Sequence, residues 1–419
     1  MAHDFNCRSG IHLAVRPLSH MPDISVLVVD AHSDFAVSVV RCLGSCAGVT
    51  VHVLSRRPQA PAAASRYVAS AHVCEDADDA QYLEHIVATA ERVGAVLCLA
   101  VDDEAIGLLA QSSSSLAGRI RLAAVPSPAS LAIARDKWWL ATFLDAHGLP
   151  HPPTRLGTDA AALDVWGGRS TNASVLLKPR AGGNGAGIRR FGDARALAAH
   201  LSADADAAAR CVVQQEIIGS DIDCSVLCAH GEIVAYTIQR SFLPVSGGFM
   251  PAGGIDFVDD DRVLSTVRDL MKALDWHGVA HVDLRYDVER AQLYVIEINP
   301  RFWGSLLGSL RAGVNFPVLA CRVALGESVD TPRRRPCRFV AGGTAMQAWC
   351  HGTFRRRHAG FGFSDTAFAD IQRDLKPSIV ECCEAVSRVA RSVGNGLVAR
   401  GLQMAASAAA VLLTQELSR

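Results

Sequence analysis

The chain has 419 residues, a net charge of −1 and thirteen cysteines, and half of its residues are hydrophobic. That length suits two or three domains with ample core, and the near-neutral balance gives no electrostatic case for a nucleic-acid or anionic-membrane partner. No C-x2-C pair occurs, so the cysteines read as reduced, buried thiols of a cytosolic protein, and Cys224 with Cys228 lacks the second pair that a zinc site needs.

Residues 1–23 read as a loose N-terminal extension without the continuous apolar core of a signal peptide. Ile24 to Val29 is a β-branched run ending at Asp30. A helix-like segment from Asp34 to Leu43 follows, then a second strand at Val51 to Leu54. A third strand, Ala95 to Val101, ends in Asp102, Asp103 and Glu104. Strands alternating with helices predict a parallel sheet, and residues 24–125 read as a small α/β domain. The missing G-x-G-x-x-G after the first strand argues against a dinucleotide site there.

Pro126 to Pro150 reads as a connection and a helix. Asp136-Lys137 opens that helix, Trp139, Leu140, Phe143 and Leu144 give it helical spacing, and Gly148-Leu149-Pro150 closes it. Ser174 to Leu177 is a strand that runs into Lys178 and a loop holding Gly182, Gly183, Gly185 and Gly187. Glycines let backbone N–H groups approach phosphate oxygens, and Lys178 sits where it can neutralise them. The loop does not follow the G-x-x-x-x-G-K-[ST] pattern, and a flexible hairpin turn is the alternative. Cys211 to Ile218 is a strand broken at Gly219 and resumed from Asp223 to Leu227. The extended backbone of Gln215, Glu216 and Ile217 can hydrogen-bond an adenine edge, with Asp221 placed for a ribose hydroxyl; an edge strand with a polar turn is the alternative. Residues 240–256 form a Gly- and Pro-rich loop with Arg240 as its charged candidate.

Gly278 to Gly308 organises the chain. Side chains alternate across a strand, so Val282, Leu284 and Tyr286 share one face while His281, Asp283 and Arg285 share the other. The return strand sets Tyr294, Ile296 and Ile298 against Glu297, Asn299 and Arg301. With the turn near Val288 to Ala291, Asp283 falls opposite Glu297. Two facing carboxylates repel, and a raised pKa, a basic partner or a divalent cation relieves them. Asp283, Glu297 and Asn299 offer three oxygen donors of the kind Mg2+ takes together with substrate phosphates; an amphipathic hairpin with a solvated face is the alternative. Beyond the hairpin, Pro300 to Gly326 carries a helix, and the tail from about Thr331 begins with Arg333-Arg334-Arg335 and ends in Ala-rich helical patterns. Met404 to Leu413 is too short to span a bilayer.

Taken in this order, these parts resemble the ATP-grasp superfamily over roughly residues 24–326. The most specific of them is Glu297-Ile298-Asn299-Pro300-Arg301, with Asp283 fourteen residues before Glu297. The resemblance implies α/β and α+β architecture: an ATP-grasp fold over residues 126–330, split into two subdomains near 206–215. A Rossmann-like domain at 24–125 would precede it, and a mainly helical extension at 331–419 would follow. It implies that Lys137 and Lys178 contact ATP phosphates and that Gly182, Gly183, Gly185 and Gly187 belong to a mobile loop closing over them. Gln215, Glu216 and Ile217 would present the adenine hinge, and Asp221 would bind ribose. Asp283, Glu297 and Asn299 would hold one or two Mg2+ or Mn2+ ions, and Arg301 would stabilise the transferring phosphoryl group. His281 stands where relatives often have arginine, so a catalytic and a purely structural role are both open; Arg240 is the third catalytic candidate. The implied activity is a carboxylate–amine ligase working through an acyl phosphate on small-molecule acid and amine substrates, in the cytoplasm, with a homodimer as the default assembly. Bicarbonate activation, as in carboxylases and carbamoyl-phosphate-type enzymes, and non-catalytic ATP binding are the rivals.

Overall fold

A computed structural model describes residues 20–159, 174–183, 185–192, 194–243, 253–350 and 360–392. Asn184 of the glycine loop, residues 244–252 of the long loop, Arg355 to Arg357 and Met404 to Leu413 lie outside these described residues.

The N-terminal third is a parallel sheet. Strands β1 (His20–Val29), β2 (Ala47–Ser55), β3 (Val68–Val73), β4 (Leu97–Leu99) and β5 (Arg121–Leu122) lie in the order β3-β2-β1-β4-β5. Val26, Leu27, Val28 and Val29 of β1 are fully buried, as expected for a strand covered on both faces and written as a continuous β-branched run. Strand β3 went unseen in the sequence. Its residues Val-Ala-Ser-Ala-His-Val are weakly apolar, and they alternate between half-buried and exposed. Because the order reverses between β1 and β4, Asp30 and Asp102 meet at the carboxyl ends of adjacent strands.

Helices Pro128–Arg135 and Lys137–Ala146 connect this sheet to the next. Strands β6 (Thr154–Leu156), β7 (Val175–Pro179), β8 (Arg189–Phe191) and β9 (Cys211–Gln215) form a four-stranded antiparallel sheet ordered β6-β9-β7-β8. Strand β10 (Ser220–Ala229) opens the third sheet. The change of sheet therefore falls at residues 216–219, directly after β9.

The third sheet adds β11 (Glu232–Leu243), β12 (Gly254–Val258), β13 (Gly278–Asp287), β14 (Gln292–Asn299) and β15 (Cys337–Val340) in the order β14-β13-β10-β11-β12-β15. Strand β15 lies beyond residue 330. The stretch assigned to a helical extension thus first supplies an edge strand of this sheet and then turns helical at Gly342–Cys350 and Leu375–Ser392. One face of the sheet packs Val226, Val282, Leu284, Val295 and Ile298 against helix Asp261–Ala273, through Val263, Val267 and Leu270. The opposite face carries polar residues.

Candidate active site

Four strands of the third sheet bring two rows of polar side chains together on that face. Residues paired across a ladder share a face. One row reads Gln239, Asp223, Asp283, Glu297 across β11, β10, β13 and β14; its neighbour reads Thr237, Ser225, His281, Asn299. The register slips between Asp283 and Leu284, whose partners are Glu297 and Val295. This bulge at Ile296 corrects the simple alternation expected for the return strand. Leu293, Val295 and Ile298 enter the core, and Ile296 does not. The far end of these rows is no solvated face, since Thr237, Gln239 and Ser225 are at most 3% exposed, whereas the Asp283 side chain keeps 37% of its exposure. The segment after the hairpin covers them, with Ser305 Oγ donating to Gln239 Oε1 at 2.7 Å and Trp303 stacked on His281.

Around Glu297 the candidate residues converge. Asn299 Nδ2 donates to Asp283 Oδ2 at 3.3 Å, and Arg301 Nη2 donates to Asn299 Oδ1 at 3.1 Å. Arg301 also pairs with Asp103 at 3.2 Å, and its guanidinium lies over the Phe35 ring, so the first domain reaches the site. Lys137 Nζ pairs with Glu297 Oε2 at 3.0 Å and donates to the Gly182 carbonyl at 2.6 Å. Asp136 caps the Lys137 helix by accepting from the Trp138 and Trp139 N–H groups, and it pairs with Arg180 at 2.8 Å. Helix start and glycine loop are thereby tied together. A Cβ on Gly183 would stand 3.3 Å from Glu297 Oε1 and 3.5 Å from Asn299 Oδ1, so this backbone lies close against the carboxylate and a larger residue there crowds it. Gly182, Gly185 and Gly187 have positive φ.

Lys178 is buried beneath this cluster and donates to Gln214 Oε1 at 2.7 Å; Gln214 Nε2 in turn donates to Thr154 Oγ1. Burial pushes the Lys178 amine down to about 8, against the pull of Glu297. Burial likewise lowers the His281 imidazole to about 3, with the Arg301 charge adding to the effect. Asp283 moves upward, through burial first and then repulsion from Asp223 and Glu297, and Asp223 moves upward as well. His281 has partners at both ring nitrogens, Ser225 Oγ at 2.9 Å from Nδ1 and Asp283 Oδ1 at 3.2 Å from Nε2.

The hinge is more occupied than the sequence suggests. The Gln215 and Glu216 N–H groups donate to the Pro153 and Ser174 carbonyls. The Glu216 carboxylate is held by Ser174 and Arg190. Arg285 Nε donates to the Ile217 carbonyl at 2.6 Å, and its Nη1 pairs with Asp221 at 2.5 Å.

Arg240 is not brought to the site. It pairs with Ile222 of β10, which faces the core side of the sheet, and it is exposed; Gln239, one residue earlier, faces the carboxylates. Asp223, Gln239 and Gln214 join the cluster although no local motif marks them, and Arg285 and Asp103 join it from the polar hairpin face and from the acidic end of the strand at Ala95 to Val101. For Asp223 the signal is its alternation with the buried Ile222 and Cys224, which fixes its face but not its partner strand.

Residues 134–305 match the family model of the ATP-grasp domain. The chain carries an ATP-grasp domain. Solved structures share this fold over most of their length. The biotin carboxylase domain of 2-oxoglutarate carboxylase from Hydrogenobacter thermophilus, a dimer in complex with MgADP, ADP and bicarbonate, is 17% identical with a TM-score of 0.59, over 75% of this chain and 73% of that one. N5-carboxyaminoimidazole synthetase from Staphylococcus aureus is 14% identical with a TM-score of 0.61, over 80% and 87%. An L-amino acid ligase from Bacillus licheniformis is 19% identical with a TM-score of 0.53, over 73% and 75%. The matched span ends just past the hairpin, so Asp283, Glu297, Asn299 and Arg301 all lie within it, as do Lys137, Lys178 and the glycine loop.

Proposed function

We propose that this chain is an ATP-dependent carboxylate–amine ligase that activates a small-molecule acid as an acyl phosphate, passes it to an amine, and releases ADP and phosphate. The observation that carries this reading is the meeting of Asp283, Glu297 and Asn299 with Lys137 and Arg301 under the Gly182–Gly183 backbone. Phosphoryl transfer needs positioning and charge neutralisation more than a protein nucleophile, and these residues supply both.

The donor set fits a hard divalent cation, because the Asp283 and Glu297 carboxylates stand opposite each other in the hairpin, Asn299 adjoins them, and Glu297 is held by the Lys137 ammonium. Asp283, Glu297 and Asn299 would hold one or two Mg2+ or Mn2+ ions, which would neutralise the phosphate oxygens when bound. Lys137 would exchange Glu297 for a phosphate oxygen, and Lys178 would meet the phosphates from below. Arg301 would leave Asp103 for the transferring group. Since the N–H groups of Gln215 and Glu216 are already spent, the adenine edge would meet the hinge at Ile217 to Gly219. Asp221, held by Arg285, would accept from the ribose.

In this reading residues 24–125 form a separate domain that helps wall the acid and amine sites, and 126–330 form the catalytic unit. The setting would be cytoplasmic, in keeping with the buried thiols of Cys42, Cys98, Cys224, Cys228 and Cys321, none of them in a disulfide. Among the described residues no helix is long and apolar enough to cross a membrane. A symmetric dimer is the assembly this reading adopts. The test is MgATP turnover with pools of carboxylic acids, with and without amines. A requirement for both supports a ligase, whereas turnover with bicarbonate alone supports the carboxylase reading in its place.

A further inference from the structure

The polar rows hold more negative charge than the Mg2+ set uses. Asp223 lies directly across from Asp283 in the ladder, and Asp283 directly across from Glu297. Three carboxylates thus stand in one row. Lys137 takes Glu297, and Arg301 is spent on Asn299 and Asp103. Asp223 stands across from Gln239 in the ladder, and among the described residues no lysine or arginine forms a salt bridge with it. Two part-buried carboxylates side by side repel, and a shared proton, a basic partner or a divalent cation relieves them.

The third group at that point is an imidazole. A carboxylate oxygen of Asp223, one of Asp283 and a ring nitrogen of His281 all lie within 4.8 Å of one another. His281 is oriented from behind: Nδ1 meets Ser225 Oγ at 2.9 Å, and the ring stacks on Trp303. This leaves Nε2 turned toward the two carboxylates, 3.2 Å from Asp283 Oδ1. A hydrogen bond at one ring nitrogen that aims the other at a shared point is the outer-shell arrangement of metal-binding histidines.

We propose that Asp223, His281 and Asp283 form a second divalent-cation site, separate from the all-oxygen set and joined to it through Asp283. Its mixed nitrogen and oxygen donors favour a first-row transition ion over Mg2+, most strongly borderline Co2+ or Zn2+ and more weakly the harder Mn2+, which still accepts an imidazole. Gln239, held by Ser305 at 2.7 Å, orients Asp223 from the far end of the row. The site needs no nucleotide, so it stands or falls independently of the ligase reading.

The test is Mn2+ titrated into the nucleotide-free full chain, prepared without a histidine tag, and followed by electron paramagnetic resonance with electron spin-echo detection of nitrogen coupling. The wild type is expected to bind Mn2+ with the modulation of one imidazole nitrogen. His281→Asn should abolish that modulation, Asp223→Asn should weaken the ion by about tenfold or more, and Glu297→Gln should keep the modulation. A wild-type spectrum without nitrogen coupling overturns the proposal, and so does coupling that survives in His281→Asn.

Discussion

Lys178 is the residue whose chemistry is most exposed to test. Its amine is buried against Gln214 and pushed down to about 8. An ammonium attracts phosphate and an amine does not, so affinity for MgATP should be full below pH 8 and fall as pH rises through about 8. Lys178→Arg, charged throughout, should flatten that profile, and calorimetry showing the same decline in both proteins would remove Lys178 from the phosphate site. The same depression means that the native state binds fewer protons than the unfolded chain between pH about 8 and the ordinary lysine value of 10.5. This group's contribution to stability therefore rises with pH across that window. Arg285 acts on the hinge. Because it holds both the Ile217 carbonyl and Asp221, Arg285→Ala should raise the Kd for ATP several-fold and weaken discrimination against ATP lacking a ribose hydroxyl. An unchanged preference for the ribonucleotide would show that Asp221 needs no such support.

At the scale of elements, the hairpin and the glycine loop were legible in the sequence for different reasons. Alternation and a short turn set Asp283 across from Glu297, because a hairpin's register follows from its own loop. The pairing of β10 with β13 spans some sixty residues, and nothing local announces it. That is why no local signal marks Asp223, and why composition offers Arg240 as the charged candidate although Gln239, on the other face of β11, is the residue that joins the row. The bulge at Ile296 lies within the hairpin but carries no glycine or proline to mark it. The loop's position can be probed directly. A Cβ at residue 183 would come within 3.3 Å of Glu297 Oε1, so the branched side chain of Gly183→Val should crowd the carboxylate and raise the KM for ATP several-fold while the melting temperature holds. An unchanged KM would mean that the loop does not close against Glu297 during turnover.

Across the whole molecule, the C-terminal segment is clasped to the first domain. The Asp374 carboxylate, buried at the start of the last described helix, accepts from Arg41 Nε at 3.2 Å, Ser65 Oγ at 2.8 Å and the Arg66 N–H at 2.9 Å. Arg311, in the helix after the hairpin, reaches Asp370 and the Thr366 carbonyl. One short segment thus ties the parallel sheet to the chain that leaves the active site, an arrangement that the Ala-rich tail gave no reason to expect. Asp374→Ala leaves the Arg41 guanidinium buried without its anion, at a cost of about 3–5 kcal/mol, and thermal denaturation should begin markedly earlier. An unaltered melting curve would show the clasp to be dispensable. The central claim concerns chemistry at Glu297, and the most direct measurement is ADP release from MgATP, screened against carboxylic acids, amines and bicarbonate, in the wild type and in Glu297→Gln. The account predicts turnover that requires an acid and an amine together and is lost in a Glu297→Gln protein that still folds; turnover on bicarbonate alone, or wild-type rates in the variant, would contradict it.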